Sequence, residues 1–400
     1  MENYYRVQAN INLDAIYDNL VNLKKLTKAD TRLMAIVKAD GYGHGAVAIV
    51  KTVDGIVDAY GVAIIEEAIE LRRANATKKP ILILGYTPSP LYPQLLQYDI
   101  TQTVYDYEMA EALSKVAVSQ NTKAKVHIKL DTGMSRIGFK DTQASIETIK
   151  KINELPGIEI TGMFTHFACA DMTNKESSRK QLSRYLDFAD KLQNEGITLE
   201  TKHVSNSAGI MDLPEANLDM VRSGITTYGL YPSDEVLKER VALKPAMEIK
   251  SCISFVKELD AGVGIGYGSS YITEHPMRVA TIPVGYADGY PRALSNKGRV
   301  LINGQSVPIV GRICMDQFMV DVTKIEDVKA GDVVTIIGTD GDETITVEEL
   351  SAMAYSFNYE FVCDISKRVP RVFYRHGKQV GSMDFYNCQD KSLHFEAGNW

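Results

Sequence analysis

Two hydrophobic periods alternate along the first 240 residues. Short β-branched or aliphatic runs stand at 33–37 (LMAIV), 61–65 (GVAII), 81–84 (ILIL), 101–104 (TQTV), 125–130 (KVHIKL), 159–164 (EITGMF), 201–204 (TKHV) and 221–227 (VRSGITT). Stretches such as 107–119 and 143–154, apolar at three- and four-residue spacing, lie between most of them. This alternation predicts parallel strands, each followed by a helix that covers the sheet. Eight such units predict a (β/α)8 barrel of the TIM type. Beyond Pro232 the texture changes. Segments 279–284 (VATIPV), 307–313, 318–322 and 332–337 are short, β-rich and broken by Gly, Asp and Asn turns, which reads as a β domain. The expectation is an α/β chain with an N-terminal (β/α)8 TIM-like barrel over 1–240 and a C-terminal, mostly β domain over 241–386. The polar tail 387–400 receives no assignment.

Length agrees with two domains, because 400 residues exceed what one hydrophobic core usually serves. Charge narrows the partners. The 44 basic and 51 acidic residues are interspersed and sum to −7, without the basic stripe that phosphate-backbone binding needs, so no nucleic acid is expected. The N-terminal residues MENYYRVQANINL lack a basic segment followed by an apolar one, and no apolar run approaches membrane-spanning length. No membrane partner is expected. Five widely spaced cysteines fit reduced thiols in a cytoplasmic enzyme better than a disulfide framework, and none has zinc-site spacing. No metal is expected.

A TIM barrel presents its reactive residues at the C-terminal ends of its strands. Strand one ends in AIVKADGYGHG, with Lys38 directly after the apolar run and Tyr42 among glycines; strand five ends at Lys129 and leads to Arg136. His166 follows strand six, Ser207 follows strand seven, and strand eight carries Arg222, Gly224 and Ile225. A lysine desolvated at a strand end yields the free amine that Schiff-base chemistry with an aldehyde cofactor requires. Hydroxyls of Tyr42 and Ser207 and the amides of 223–226 suit a phosphate. Taken alone, a lysine there is more often a surface residue whose stem snorkels.

The segment AIVKADGYGHG closely resembles the cofactor-lysine signature of alanine racemases. KLDTGMSRIGF (129–139), FTHFACAD (164–171), NSAG (206–209), VRSGITTYGLYP (221–232), GYGSSY (266–271), PVGYADGYPR (283–292), GRICMDQ (311–317) and RVPR (368–371) look like the same family in the same order. The resemblance implies a cytoplasmic, pyridoxal 5'-phosphate-dependent enzyme that interconverts L- and D-alanine and supplies D-alanine for cell-wall peptidoglycan. It implies that Lys38 binds the cofactor covalently and is one proton-transfer base, with Tyr267 the base on the opposite substrate face. A phenol of ordinary pKa near 10 is a poor base at neutral pH, so positive charge must assist Tyr267, and His166 is the family's partner for it. Arg222 is matched to the residue facing the cofactor's ring nitrogen. Arg136 is matched to the cofactor phenolate and substrate carboxylate, and Lys129 to a position carbamylated in many members. Tyr42, Ser207, Gly224 and Ile225 fall in the cofactor pocket, and Met315 with Asp316 beside the substrate. A homodimer with composite sites is implied, because Tyr267 and Met315 lie in the second domain and complete the partner's barrel.

One departure bears on specificity. Some family members carry a tyrosine just before RVPR, where this chain has Lys367, which leaves a serine or broad-specificity racemase open. A decarboxylase of the same architecture is disfavoured by Arg222, since those enzymes place an acid at the ring nitrogen.

Overall fold

The structure is a computed structural model that describes residues 6–386. The described residues form two compact units, 15–42 with 46–245, and 6–14 with 43–45 and 246–386.

The first unit is a nearly closed parallel barrel. Its strands run in the order Met220–Ser223, Arg32–Ile36, Ala59–Val62, Ile81–Ile83, Thr101–Val104, Ala124–Asp131, Ile158–Phe164 and Lys202–His203. The ring closes without a regular ladder: Asp219 N–H donates to Lys202 O and Arg222 N–H to Ser205 O, both at 3.1 Å. Strands buried on both faces explain the continuous apolar runs, and Leu33, Met34, Ala35 and Ile36 are all at most 5% exposed. The eighth strand stops at Ser223 rather than 227, because Gly224 leaves extended geometry (φ −101, ψ −109) and a 3₁₀ turn, Ile225–Tyr228, follows. The second spans Ala59–Val62 rather than 61–65, since helix Ile65–Arg73 starts at its end.

The helices form where the periodicity put them. Tyr107–Ser119 begins at Asp106, whose carboxylate accepts from Met109 N–H at 2.7 Å, satisfying one of the unpaired donors at a helix start. Gln143–Asn153 buries Ile146, Ile149 and Ile152, three side chains worth roughly 1.5–3 kcal/mol each against the barrel.

The second unit is an eleven-stranded sheet, antiparallel except where Val7–Asn12 runs parallel to Arg371–Arg375. Val7–Asn12 also pairs antiparallel with Met247–Cys252. The first strand of the chain therefore belongs to the β unit, a correction to the expectation of an uninterrupted 1–240 domain. The reason lies in the alternation of VQANIN, which buries Val7, Ala9 and Ile11 and leaves Gln8 and Asn10 half-buried. Two helices, Val347–Met353 and Asn358–Asp364, interrupt the sheet order. The tail expected over 387–400 lies outside the described residues. Among those residues no helix is long and apolar enough to cross a membrane.

Candidate active site

Lys38 follows the first barrel strand and opens a turn of left-handed backbone. Ala39, Asp40, Gly41 and Tyr42 have φ of 53°, 52°, 61° and 51°. Each non-glycine residue there costs roughly 1–2 kcal/mol, so the turn persists only because its surroundings hold it. Asp40 Oδ1 accepts from Ala46 N–H at 2.8 Å, starting helix Ala46–Val53, and Gly41 N–H donates to Val37 O at 2.9 Å. A Cβ at Gly41 would stand 2.7 Å from Ile49 Cδ1, so glycine lets that side chain pack against the turn. The turn brings the Tyr42 ring against Tyr228, centroids 4.9 Å apart, with Lys38 Nζ 5.9 Å from the Tyr42 centroid.

A polar cradle is built on Tyr42. Ser207 Oγ accepts from Gly224 N–H at 2.9 Å and from the Thr226 hydroxyl at 2.8 Å. A Cβ on Gly224 would lie 3.1 Å from Tyr42 Oη and 3.5 Å from Ser207 Oγ, so the absent side chain leaves room beside these groups. Ile225 is fully buried next to them.

The floor is cationic. Arg222, 3% exposed, commits both terminal nitrogens: Nη1 donates to His203 Nδ1 and His203 O, and Nη2 to Thr165 O, Val204 O and, at 3.3 Å, His166 Nδ1. Nε–H is the donor left without a partner among the described residues. Burial draws its pKa down to about 10, still a cation at neutral pH. Lys129 is as deeply buried, and desolvation, with Arg222 next, brings its pKa down to about 7. Its Nζ and the Arg222 guanidinium carbon each lie 5.4 Å from the centre of the Phe164 ring.

His166 departs from expectation. Burial first, then the charges of Arg222, Arg136, Lys129 and Lys38, hold its pKa well below the usual histidine range, so the ring is neutral. It does not supply the positive charge expected beside a phenolic base; Arg222 behind it is the cation. Lys38, Lys129, Arg136 and Arg222 thus all lie near enough to His166 to act on its charge. Asp131, the acid beside Lys129, spends one oxygen on the amides of Gly133, Met134 and Ser135, each at 3.0 Å.

In the β unit, Tyr267 stands in a turn that needs Gly266 (φ 71) and Gly268 (φ 69). Tyr267 is 69% exposed and Met315 51%. The Met315 carbonyl accepts from Ala287 N–H at 3.0 Å, and Asp316 pairs with Arg368 at 2.8 Å. Sequence reasoning missed His203, His127 and Phe164. A signal existed in KVHIKL, whose polar residues at 125, 127 and 129 share one face of a strand otherwise apolar.

The family model described as "Alanine racemase, N-terminal domain" matches residues 11–232, and "Alanine racemase, C-terminal domain" matches 246–373. The chain belongs to the alanine racemase family. It is accordingly an isomerase, an amino-acid racemase. An alanine racemase of Clostridium novyi is 46% identical over 376 residues, 94% of this chain and 97% of the relative. One from Methanococcus maripaludis is 46% identical over 368 residues, 92% and 98%. Among solved structures, alanine racemase of Clostridium difficile 630 superposes with a TM-score of 0.91 at 44% identity, covering 96% of this chain and 99% of that one. Alanine racemase of Bacillus anthracis with bound L-Ala-P superposes with a TM-score of 0.90 at 34% identity, covering 97% and 100%. Both parts of this alanine racemase family chain thus match the solved fold, a barrel and a mostly β domain.

Proposed function

We propose that this racemase interconverts L- and D-alanine by a two-base mechanism with pyridoxal 5'-phosphate, as a homodimer in the cytoplasm that supplies D-alanine for peptidoglycan. The observation that carries the reading is a basic volume around His166: Lys38, Lys129, Arg136 and Arg222 all act on its charge, and the buried Arg222 guanidinium keeps a single uncommitted donor, Nε–H. Such a volume demands anions. A phosphorylated, phenol-bearing cofactor and a carboxylate substrate provide them, and the cradle of Tyr42, Ser207, Gly224 and Ile225 has hydroxyl, amide and space for the phosphate.

When bound, the cofactor supplies the electron-withdrawing system that acidifies the substrate α-carbon. Lys38 would hold it through its amine and move a proton at that carbon on one face. Tyr267 does so on the other, because a single base would return the proton mainly to the side it left. Arg222, with Nε–H free, would be the donor for the ring nitrogen, and a guanidinium that cannot readily give up its proton would leave that nitrogen unprotonated. Arg136 suits the carboxylate and phenolate with a guanidinium fork, while the Met315 backbone and Asp316 flank the substrate. His166, a neutral ring hydrogen-bonded to Arg222, is the residue the family pairs with the phenolic base. The exposure of Tyr267 and Met315 supports a partner that covers them. Cys169, Cys252, Cys314 and Cys363, which form no disulfide among the described residues, suit a reducing compartment.

Serine or broader specificity is the second reading. Lys367, where some family members carry a tyrosine, has its Nζ 5.3 Å from the Phe385 ring centre, a cation in place of a phenol. The test is turnover of both amino acids by the purified protein, with the cofactor fixed by borohydride and mapped. Faster racemisation of alanine, with the label on Lys38, supports the proposal; a label on another lysine defeats it.

A further inference from the structure

We propose that Glu67 is a positioning residue for Lys38, an assignment that rests on the reading of Lys38 as the cofactor-binding base. Glu67 stands in the first turn of helix Ile65–Arg73. Its Oε1 accepts from Ala39 N–H at 2.5 Å, and its Oε2 accepts from Ala63 N–H at 2.7 Å and Ile64 N–H at 3.3 Å. The Ala39 amide belongs to the peptide bond that leaves Lys38. One carboxylate therefore joins the lysine's own peptide to the end of the neighbouring strand.

The location matters because regular pairing between the first two barrel strands ends there. The last rung is Val37 N–H to Gly61 O at 2.9 Å, and immediately afterwards the chain enters the left-handed turn. Nothing intrinsic to Ala39 favours that geometry, since left-handed backbone is unfavourable for an L-residue. An acceptor aimed at the Ala39 amide selects it, and charge-assisted hydrogen bonds are the stronger kind. The bond to Ile64 N–H is a different matter: it satisfies a donor at the start of the helix that carries Glu67, the usual task of a glutamate three residues into a helix. Glu67 thus has a capping contact, which bears on stability, and a clamping contact, which bears on where Lys38 Nζ is presented.

Three substitutions separate the two. Glu67→Asp keeps the negative charge at the helix start but loses the reach to Ala39. Glu67→Gln keeps the reach and one acceptor, but turns an NH₂ toward the second set of amides. Glu67→Ala removes everything. Misplacing a catalytic group by about 1 Å can cost about a hundredfold, so Glu67→Asp and Glu67→Ala are expected to lower kcat about ten- to a hundredfold. KM should change far less, and the visible cofactor band should weaken; Glu67→Gln should fall between. The thermal midpoint should drop in Glu67→Ala and recover in Glu67→Asp. In cofactor-free protein, the acylation rate of Lys38, read by peptide mass mapping, should shift in Glu67→Asp relative to the native enzyme. That readout needs neither cofactor nor turnover. Full kcat and unchanged Lys38 acylation in Glu67→Asp would leave Glu67 as a helix cap and overturn the proposal. A Lys38→Ala control that still binds cofactor covalently would instead overturn the reading of Lys38, and the acylation result would stand apart from it.

Discussion

Arg222 donates from Nη1 to Nδ1 of His203 at 2.8 Å, and this one bond sets the protonation of two buried rings. A guanidinium has no lone pair to offer, so Nδ1 of His203 accepts and its proton resides on Nε2. That proton points at His127 Nδ1, 2.9 Å away, which must accept in turn. The two imidazoles are a neutral, ordered pair rather than two repelling cations. His203 also stacks on Phe164 with centroids 4.8 Å apart, so the relay is packed as well as bonded.

Acid should therefore destabilise this protein well before its carboxylates titrate. Burial holds the pKa of His127 down at about 3, and those of His166 and His203 well below the usual range. The unfolded chain protonates each ring below about 6.5, whereas the native state does not. The unfolded state then binds more protons, so stability rises with pH up to that point and is lost as pH falls beneath it. The slope is up to roughly 1.4 kcal/mol per pH unit for each ring. Urea unfolding between about pH 7 and about pH 5 measures it, and His127→Asn should flatten the slope whatever it does to absolute stability. A stability flat across that interval would mean the rings are protonated in the native state.

The barrel was legible because its strands are buried on both faces and its helices on one, two patterns that differ in period and can be told apart locally. Helix Tyr107–Ser119 was readable to the residue, its start marked by Asp106. Strand Val7–Asn12 was not, although its alternation is regular, because its partners lie some 240 and 360 residues away and a local pattern carries no address. The positions of Lys38, Arg222 and Ser207 at or just after strand ends were legible from the same pattern. The neutrality of His166 was not, since it depends first on burial and then on four basic groups drawn from separate strand ends and loops. Glu67 had a local cue, a glutamate just inside a helix start, which announces a cap and says nothing of the Ala39 amide that it also holds.

Lys129 should carry a carbamate. With a pKa near 7 a large fraction of its amine is neutral at physiological pH, and a neutral amine adds CO₂ with loss of one proton. The product is an anion near Arg222 and Arg136, which relieves the charge crowding that adds to burial in depressing the lysine. Equilibration with ¹³C-bicarbonate should give a carbonyl resonance in the native protein that is missing from Lys129→Ala. No resonance at raised bicarbonate would show that the cationic neighbours are tolerated unmodified.

Two inactive variants should restore one another. If Tyr267 serves the barrel of a second subunit, a heterodimer of Lys38→Ala and Tyr267→Phe chains carries both lesions in one site and neither in the other. Random exchange of equal amounts should then recover about a quarter of the native sites. Exchange proven by mass without recovered racemisation would mean that each site is completed within one chain. The 69% exposure of Tyr267 in the single chain makes that the less favoured outcome, because an open phenol has little to hold it in register with a substrate.

The division of labour between the two bases gives the sharpest test. Racemisation in either direction passes through both proton transfers, so Tyr267→Phe should slow L-to-D and D-to-L conversion alike, by at least the order of 10²-fold that a positioned base supplies. Tyr267 belongs to the β unit and Lys38, with the cradle of Tyr42, Ser207 and Gly224, to the barrel. The variant should therefore keep its cofactor and its visible band. With Lys38 intact and serving the D-face, it should still exchange the α-proton of D-alanine with deuterated solvent while L-alanine exchanges much more slowly. Exchange and racemisation would come apart for one enantiomer only. A Lys38 variant cannot give the mirror result cleanly, since it loses the cofactor attachment along with the base, so the asymmetry must be read from Tyr267→Phe. Equal exchange of both enantiomers would mean that one group, or a water, reaches both faces, and the two-base assignment would fall while the assignment of the cofactor lysine stood.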